Sequence, residues 1–455
     1  MIFCAIIFCF ISATEMIGVT SMCRFWLQGE SVYNSLLHFF RSNAYCYADL
    51  LNSWNRFVLQ QNKAIEVDGR CVLLGDHTHV VKDGRRMPGV VSMRETSETQ
   101  SRPSYFRGQC WGAIGLLVGS LSACFCLPLQ LQIHQGFCHI GLDKQEGETN
   151  YPSMAQRLIL MAVAFSVRYD RPSILVLDAY FPVASVFRLA RSIYSIALKA
   201  PYLEILVRAK KNYVAYFPAE PKPKNRPGPQ KRYGDKVYLM ECFDHLHLFQ
   251  TLPCEVYGQT ESIQIMTMKL LWRPIGDWIL FVFAITSRGP IILMCSDLQY
   301  SPTRALELYC ARTRIEIMFD VLKHLIGAFC FRFWSKKMPK HSRRPVSNRY
   351  LKKPQPEDLA TVEACWQAYE RFVFCAMIAQ GLLQLIALKF GKTVWQQHTL
   401  YLRTQSRELP SEKTVKQVFT AIFNQQLFDL QQNGIIQKIR LQFMAISRDK
   451  EDEDD

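Results

Sequence analysis

A chain of 455 residues with 49% apolar and 12% aromatic side chains is long enough for two or three domains and too apolar to be disordered. Its formal charge of +15 favours a polyanionic partner, nucleic acid before membrane. Sixteen cysteines occur with no CxxC pair and no Cys/His spacing of a structural zinc site, which argues against a zinc module and for free thiols in a reducing compartment.

Residues 1–13 (MIFCAIIFCFISA) are almost wholly apolar, too short to span a bilayer and without the positive start of a signal peptide. A packed N-terminal helix is expected, with an anchor or signal as the weaker reading. Residues 1–66 read as helical throughout. Ser31 is the expected N-cap of a helix running to Arg41, entered by a turn at Gly29. Val32, Leu36, Leu37 and Phe40 would pack, and Asn34, His38 and Arg41 would face solvent or DNA. A helix, a Gly turn and a second helix fit a helix-turn-helix reader of DNA, and equally any small helical bundle.

From Val67 the pattern turns to β. Residues 71–80 (CVLLGDHTHV) form an apolar strand interrupted by Asp76, a charge that is costly there unless paired or metal-bound, or else a solvated carboxylate in a bulge. His77 and His79 fall on the opposite face from Asp76 and read as packing rather than as a zinc pair. A polar loop over 82–107 carries Lys82, Arg85, Arg86, Arg94, Arg102 and Arg107, for solvent or for phosphate. Strands are expected over 110–119 and 123–133, then a helix over 152–168. Residues 173–181 (SILVLDAYF) follow as a continuous apolar run between helices, the mark of a buried parallel strand. Asp178 stands at its carboxyl end, where such sheets bind ligands; a helix N-cap is its other reading. A helix over 183–197, one strand over 204–217 and a Pro- and Lys-rich linker over 218–236 come next. Apolar strands are expected over 237–242, 262–272, 278–286 and 291–295.

Ser301-Pro302 opens a helix, as N-cap and first-turn residue. Residues 309–323 (YCARTRIEIMFDVLK) contain no Gly or Pro, and Leu308, Ile315, Met318, Phe319, Leu322 and Ile326 recur at helical spacing. At roughly 100° per residue, Tyr309, Arg312, Glu316 and Lys323 fall in an arc of about 60°, beside the apolar stripe. A carboxylate flanked by two cations and a phenol suits phosphodiester chemistry. Asp320 shares that face and reads as a neighbour, with a fourth ligand as its other reading. Residues 331–357 form a second basic linker, 359–390 a long apolar helix and 411–446 a last helical stretch before an acidic tail over 450–455.

The spacing Tyr309-(2)-Arg312-(3)-Glu316-(6)-Lys323 resembles the last catalytic motif of the bacterial insertion-sequence DDE transposases, in the branch with the Y-(2)-R-(3)-E-(6)-K motif. The resemblance covers roughly residues 70–335, and it departs from the family at Gly108-Gln109, where the family usually has His after Gly. It implies an α/β fold: an RNase H-like catalytic core over 67–330 with a β-rich insertion over about 218–300. Helical regions flank it, an N-terminal DNA-binding region over 1–66 and a C-terminal region over 331–455. Asp76, Asp178 and Glu316 are the implied catalytic metal ligands. They would share two Mg²⁺ ions about 4 Å apart, with Mn²⁺ as a substitute. Tyr309, Arg312 and Lys323 are the implied DNA-binding residues, gripping phosphates and terminal nucleotides. The implied activity is cut-and-paste movement of an insertion sequence by phosphodiester hydrolysis and strand transfer. Double-stranded DNA, as transposon end and as target, and a second copy of the chain are the implied partners, in the bacterial nucleoid and without a membrane. The competing readings are a metal-dependent nuclease of the same fold and an inactive DNA-binding remnant. A membrane-associated protein rests on residues 1–13 alone.

Overall fold

A computed structural model describes residues 1–16, 18–27, 29–95, 103–137, 140, 152–196, 199–222, 228–256, 258–401 and 408–428, with 434, 437–439 and 441. Arg102, most of the stretch beyond Phe428 and the acidic tail lie outside the described residues.

The chain opens with α1 (Ile2–Ser12), α2 (Val19–Trp26), α3 (Glu30–Arg41) and α4 (Tyr47–Gln60). Three long strands follow: β1 (Arg70–Val81), β2 (Tyr105–Gly119) and β3 (Cys124–Ile133). Then come α5 (Met154–Arg168), β4 (Ser173–Leu177), α6 (Ala184–Ala190) and β5 (Leu203–Arg208). Six further strands are β6 (Val214–Pro218), β7 (Tyr233–Tyr238), β8 (Gln250–Val256), β9 (Gln259–Trp272), β10 (Asp277–Thr286) and β11 (Gly289–Cys295). Four helices complete the chain: α7 (Pro302–Ala311), α8 (Thr313–Asp320), α9 (Leu359–Gln397) and α10 (Glu412–Phe428).

The fold is mixed α/β. Among the described residues one thirteen-stranded sheet runs β7-β6-β9-β10-β11-β5-β4-β1-β2, with β3 and the short strand Val91–Arg94 also on β2, β8 on β9 and the two-residue strand Glu66–Val67 on β1. β1, β2 and β3 pair antiparallel, whereas β1, β4 and β5 run parallel. The parallel strands are continuous apolar runs because both their faces are covered. β4 is buried at every position. α5 lies against β1 and β2, while α8 and α9 lie against β3 on the other face. α5 begins with a reciprocal cap: Ser153 Oγ accepts from the Gln156 N–H and the Gln156 side chain accepts from the Ser153 N–H.

The ends of the chain share one core with the sheet. α1 packs on α9 and α10, and α3 packs on α9. Phe10 and Phe372 meet edge to face with centroids 5.2 Å apart. Buried Arg371 of α9 caps α3 by donating to Phe40 O at 3.1 Å and Ser42 O at 2.6 Å. α9 is, among the described residues, the one helix long and apolar enough to cross a membrane, and 78% of its apolar window is buried inside the protein. Asn34, His38 and Arg41 do face outward from α3, as the helical spacing predicts.

Several boundaries differ from expectation. α3 starts at Glu30 after Gly29, and Ser31 is not its cap. α6 stops at Ala190, short of the expected 197, and the Arg191 side chain that follows bonds Asp277, Trp278 O and Ser296 O. The single strand over 204–217 is two, β5 and β6, divided by a turn in which the Tyr213 N–H bonds Lys210 O. Within the linker, residues 233–236 join β7, and the expected strand over 237–242 is mostly a 3₁₀ turn over Leu239–Asp244. β8 has no counterpart in the sequence reading, because its alternation is partly polar and broken by Pro253. β11 pairs with β5, so the β-rich stretch extends the central sheet rather than forming a separate layer.

Gly108 is required by its surroundings. A Cβ there would stand 2.3 Å from Val80 O, at the crossing of β1, β2 and the strand Val91–Arg94. A Gly108→Ala protein is expected to unfold about 2–3 kcal/mol more easily, read as a lower urea midpoint at unchanged slope. An unchanged midpoint would show that the two strands can part there at no cost.

Candidate active site

The site starts from strand register. Leu74 of β1 lies opposite Val176 of β4, and two steps further the same register sets Asp76 beside Asp178. Leu177 of β4 lies opposite Val207 of β5, so the next step sets Asp178 beside Arg208. Asp76, Asp178 and Arg208 thus form one row across three parallel strands, at the end where α/β sheets bind ligands. Side chains alternate along β1. Gly75 and His77 face α5, and a Cβ at Gly75 would meet Leu158 and Leu177 side chains at 3.0 Å. Asp76 faces the other way, toward the helix that carries Glu316.

That helix opens as expected, with Ser301 Oγ accepting from the Arg304 N–H. It is not uniform. The Arg312 N–H bonds Tyr309 O at 3.1 Å and the Ile315 N–H bonds Arg312 O at 3.0 Å, so the ladder tightens where α7 meets α8. After Asp320 it widens into a π-helical turn over Val321–Ile326. Such turns cluster at functional sites. They also break the constant spacing on which the place of Lys323 was reckoned; Arg312 and Glu316 stay on one face, joined by their ion pair. Lys323 is half-buried within this turn.

Arg312 is the hinge of the constellation. Its guanidinium donates to Asp76 Oδ2 at 3.2 Å and to Glu316 Oε1 at 2.5 Å, drawing together residues 240 positions apart in the chain. Asp76 Oδ1 also accepts from the His77 N–H at 2.7 Å. Burial, and then the charge of Asp178, push the Asp76 carboxyl up to about 7; Arg312 and the His77 N–H oppose them, and Glu316 adds to the rise. Burial alone would depress Arg312, but Asp76, Tyr309, Glu316 and Asp178 outweigh it and hold its cation more firmly than usual. The Tyr309 phenol is pushed up, first by burial, although Arg312 and a hydrogen bond with Arg208 pull against this and Asp178 adds to it. Asp178 caps its own turn, with Oδ1 accepting from the Tyr180 N–H at 2.9 Å. Glu316 is the exposed member, 56% accessible, against 18% for Asp76 and 14% for Arg312.

Arg208 is the residue that sequence reasoning missed. Its signal was present: it ends the parallel strand next to that of Asp178. Tyr180, 52% exposed two residues after Asp178, was also missed. The histidines of β1 pack. His77 Nε2 meets His134 Nδ1 at 2.9 Å and stacks on Phe181, and burial lowers it to about 4. Asp320 is exposed and pairs with His324 at 3.7 Å, outside the row. Gln109 is fully buried and donates to Pro88 O at 3.2 Å.

Among the described residues no three side chains of His, Cys, Asp or Glu are grouped to hold a metal ion as they stand. The carboxylates gather instead on the Arg312 cation. Holding a divalent ion would require Arg312 to release them. The donors suit a hard cation, since the row offers carboxylates and neither thiol nor imidazole. The proton affinity of Asp76 is raised first by its burial and then by the charge of Asp178.

No protein-family model matches the chain, and no curated protein matches it.

Proposed function

We propose that this chain is a DDE transposase of the insertion-sequence type, cutting DNA and joining its 3′ ends to a target with Asp76, Asp178 and Glu316 as metal ligands. One observation carries the reading: Arg312 of the Y-(2)-R-(3)-E helix bonds Asp76 on β1, while Asp178 and Glu316 both act electrostatically on that same carboxyl. Residues from three remote segments meet at the carboxyl end of a parallel sheet. The strand order β3-β2-β1-β4-β5, with the first three antiparallel and the rest parallel, supports an RNase H-like core.

When bound, a pair of Mg²⁺ ions would supply Lewis acidity to the attacking and leaving oxygens of the scissile phosphate. The chain's own groups do the rest. Asp76 must lose its proton to act as a ligand, and its burial and the charge of Asp178 hold that proton more firmly than in an ordinary carboxyl. Arg312, once it releases the carboxylates, presents a bidentate fork to a phosphate oxygen. Tyr309, kept protonated, donates to the same backbone. Glu316, the most exposed ligand, sits on the helix that tightens and widens on either side of it, and so has room to swing inward. The action is proposed on double-stranded transposon ends held by two copies of the chain, in the bacterial nucleoid.

The test is strand transfer. Protein mixed with DNA bearing the inverted repeats that flank its own coding region is expected to nick the ends and join them to a plasmid in Mg²⁺, and to do neither in EDTA. Cutting without joining would leave a plain nuclease; neither would leave a DNA-binding remnant.

A further inference from the structure

Two basic segments far apart in the chain form one groove. Residues 82–86 leave the end of β1, five residues or about 17 Å beyond Asp76. Residues 329–343 leave the helix of Glu316. Lys82 fastens them: its half-buried side chain donates from Nζ to the carbonyls of Phe329 and Phe331, with Nζ 3.8 Å from the Phe331 ring centroid. Arg85 Nε donates to His341 O at 2.9 Å and Arg86 to Lys336 O. Between them is a cleft of about 600 Å³.

Residues 331–335 alternate. Phe331, Phe333 and Ser335 are buried, and Arg332 and Trp334 are exposed, so the latter two project together as a ridge. Trp334 is 51% exposed and walls this cleft together with Arg85, Arg332 and Arg343. On its other side, Trp334 and Arg332 wall a second cleft, of about 420 Å³, with Tyr33 and Arg41 of α3. A large exposed indole among guanidinium groups has no packing purpose here, because Phe331 and Phe333 already fill the core beneath it.

We infer that this ridge is a binding track for a single strand of DNA, with Trp334 as a stacking platform for an unpaired base and Arg85, Arg332 and Arg343 holding the flanking phosphates. The chemistry selects the strand form. A duplex offers phosphates but keeps its base faces covered, whereas an unpaired strand offers both to an indole set among cations. The track begins where β1 and the Glu316 helix end, so the strand it takes is the continuation of the one at the carboxylates. The inference rests on reading those carboxylates as a DNA-cutting centre.

The test is fluorescence anisotropy without divalent ions, using labelled oligothymidine, a duplex of equal length and the RNA counterpart. Trp334→Ala is expected to weaken oligothymidine binding by about tenfold and to leave duplex binding within twofold. Trp334→Phe should restore most of the loss. In Arg332→Ala/Arg343→Ala the log–log salt slope should flatten by about 1.4, two contacts at about 0.7 each. Unchanged affinity of Trp334→Ala for oligothymidine, or an equal loss for duplex, overturns the inference, and so does tighter binding of the RNA. Loss on Trp334→Ala in a protein that never cuts DNA with Mg²⁺ would keep the track and sink the transposase. Cutting by a protein whose Trp334→Ala form binds normally would do the reverse.

Discussion

An Asp178→Asn protein is expected to bind duplex DNA as the wild type does and to cut it roughly a thousandfold more slowly. The loss follows from removing one ligand of the proposed metal pair, worth several kcal/mol of transition-state stabilisation, at a factor of ten for each 1.36 kcal/mol. Asp76→Asn should lose as much, and it is distinguished by stability. In the folded chain Asp76 keeps its proton to about pH 7, whereas the unfolded chain gives it up near the ordinary value of 3.8. Between those values the native state holds the extra proton, so the contribution of this group is complete below about pH 4 and is lost as pH rises through 7. Asn has no proton to lose. Relative to the wild type, Asp76→Asn therefore gains stability as pH goes from 4 to 8, by about 4 kcal/mol at most, against a constant cost for the weakened bond to Arg312. Comparing variant with wild type cancels the opposite trend of buried His77 and His134 and the parallel one of Glu370. In Asp178→Asn the charge that helps keep Asp76 protonated is gone, so that protein's pH dependence should be shallower. Urea titrations at pH 4, 6 and 8 decide the matter; parallel curves for Asp76→Asn and wild type would mean that Asp76 is an ordinary ionised carboxylate and the cluster is not closed.

Trp111→Ala should have the largest effect on folding. Trp111 lies on β2 opposite Thr78 and is fully buried, with its ring centroid 5.5 Å from Phe329 and 6.2 Å from Phe331. It holds the segment beyond the Glu316 helix onto the sheet that carries Asp76. Removing it leaves a cavity between the two, at a cost of about 3–5 kcal/mol. Trp111→Phe should cost far less, because the buried indole N–H has no hydrogen-bond partner and Phe removes that defect along with some volume. The measurement is the urea midpoint of both proteins. Similar losses in the two would show that the indole N–H is satisfied and that volume is not what Trp111 supplies.

Much of the site could be read along the chain because it depends on local rules. Asp178 follows an apolar run that only a doubly covered strand tolerates, and Ser301-Pro302 is a helix start wherever it occurs. Asp76 stood out as a charge in an apolar strand. The β-rich stretch was visible as alternation, but its union with the central sheet through β5 and β11 was not, because strand pairing is a matter of register between remote segments. Likewise the π turn at Val321–Ile326 has no Gly or Pro to announce it, and it interrupts the α-helical spacing by which Lys323 was placed.

Spacing along each element was therefore determined by the sequence alone: which residues are buried on a strand, where a helix begins, and which acids lie at strand ends. Tertiary structure decided which of these meet. Arg312 could be placed on the face of Glu316 by counting, but its bond to Asp76 required β1 to fold beside β4 and the helix to cross them. The same holds for Arg208 beside Tyr309, and for the groove that joins residues 82–86 to residues 329–343. The reason is physical: periodicity is a property of a single backbone, whereas the field at a carboxyl is the sum over every charge that the folded chain brings near it.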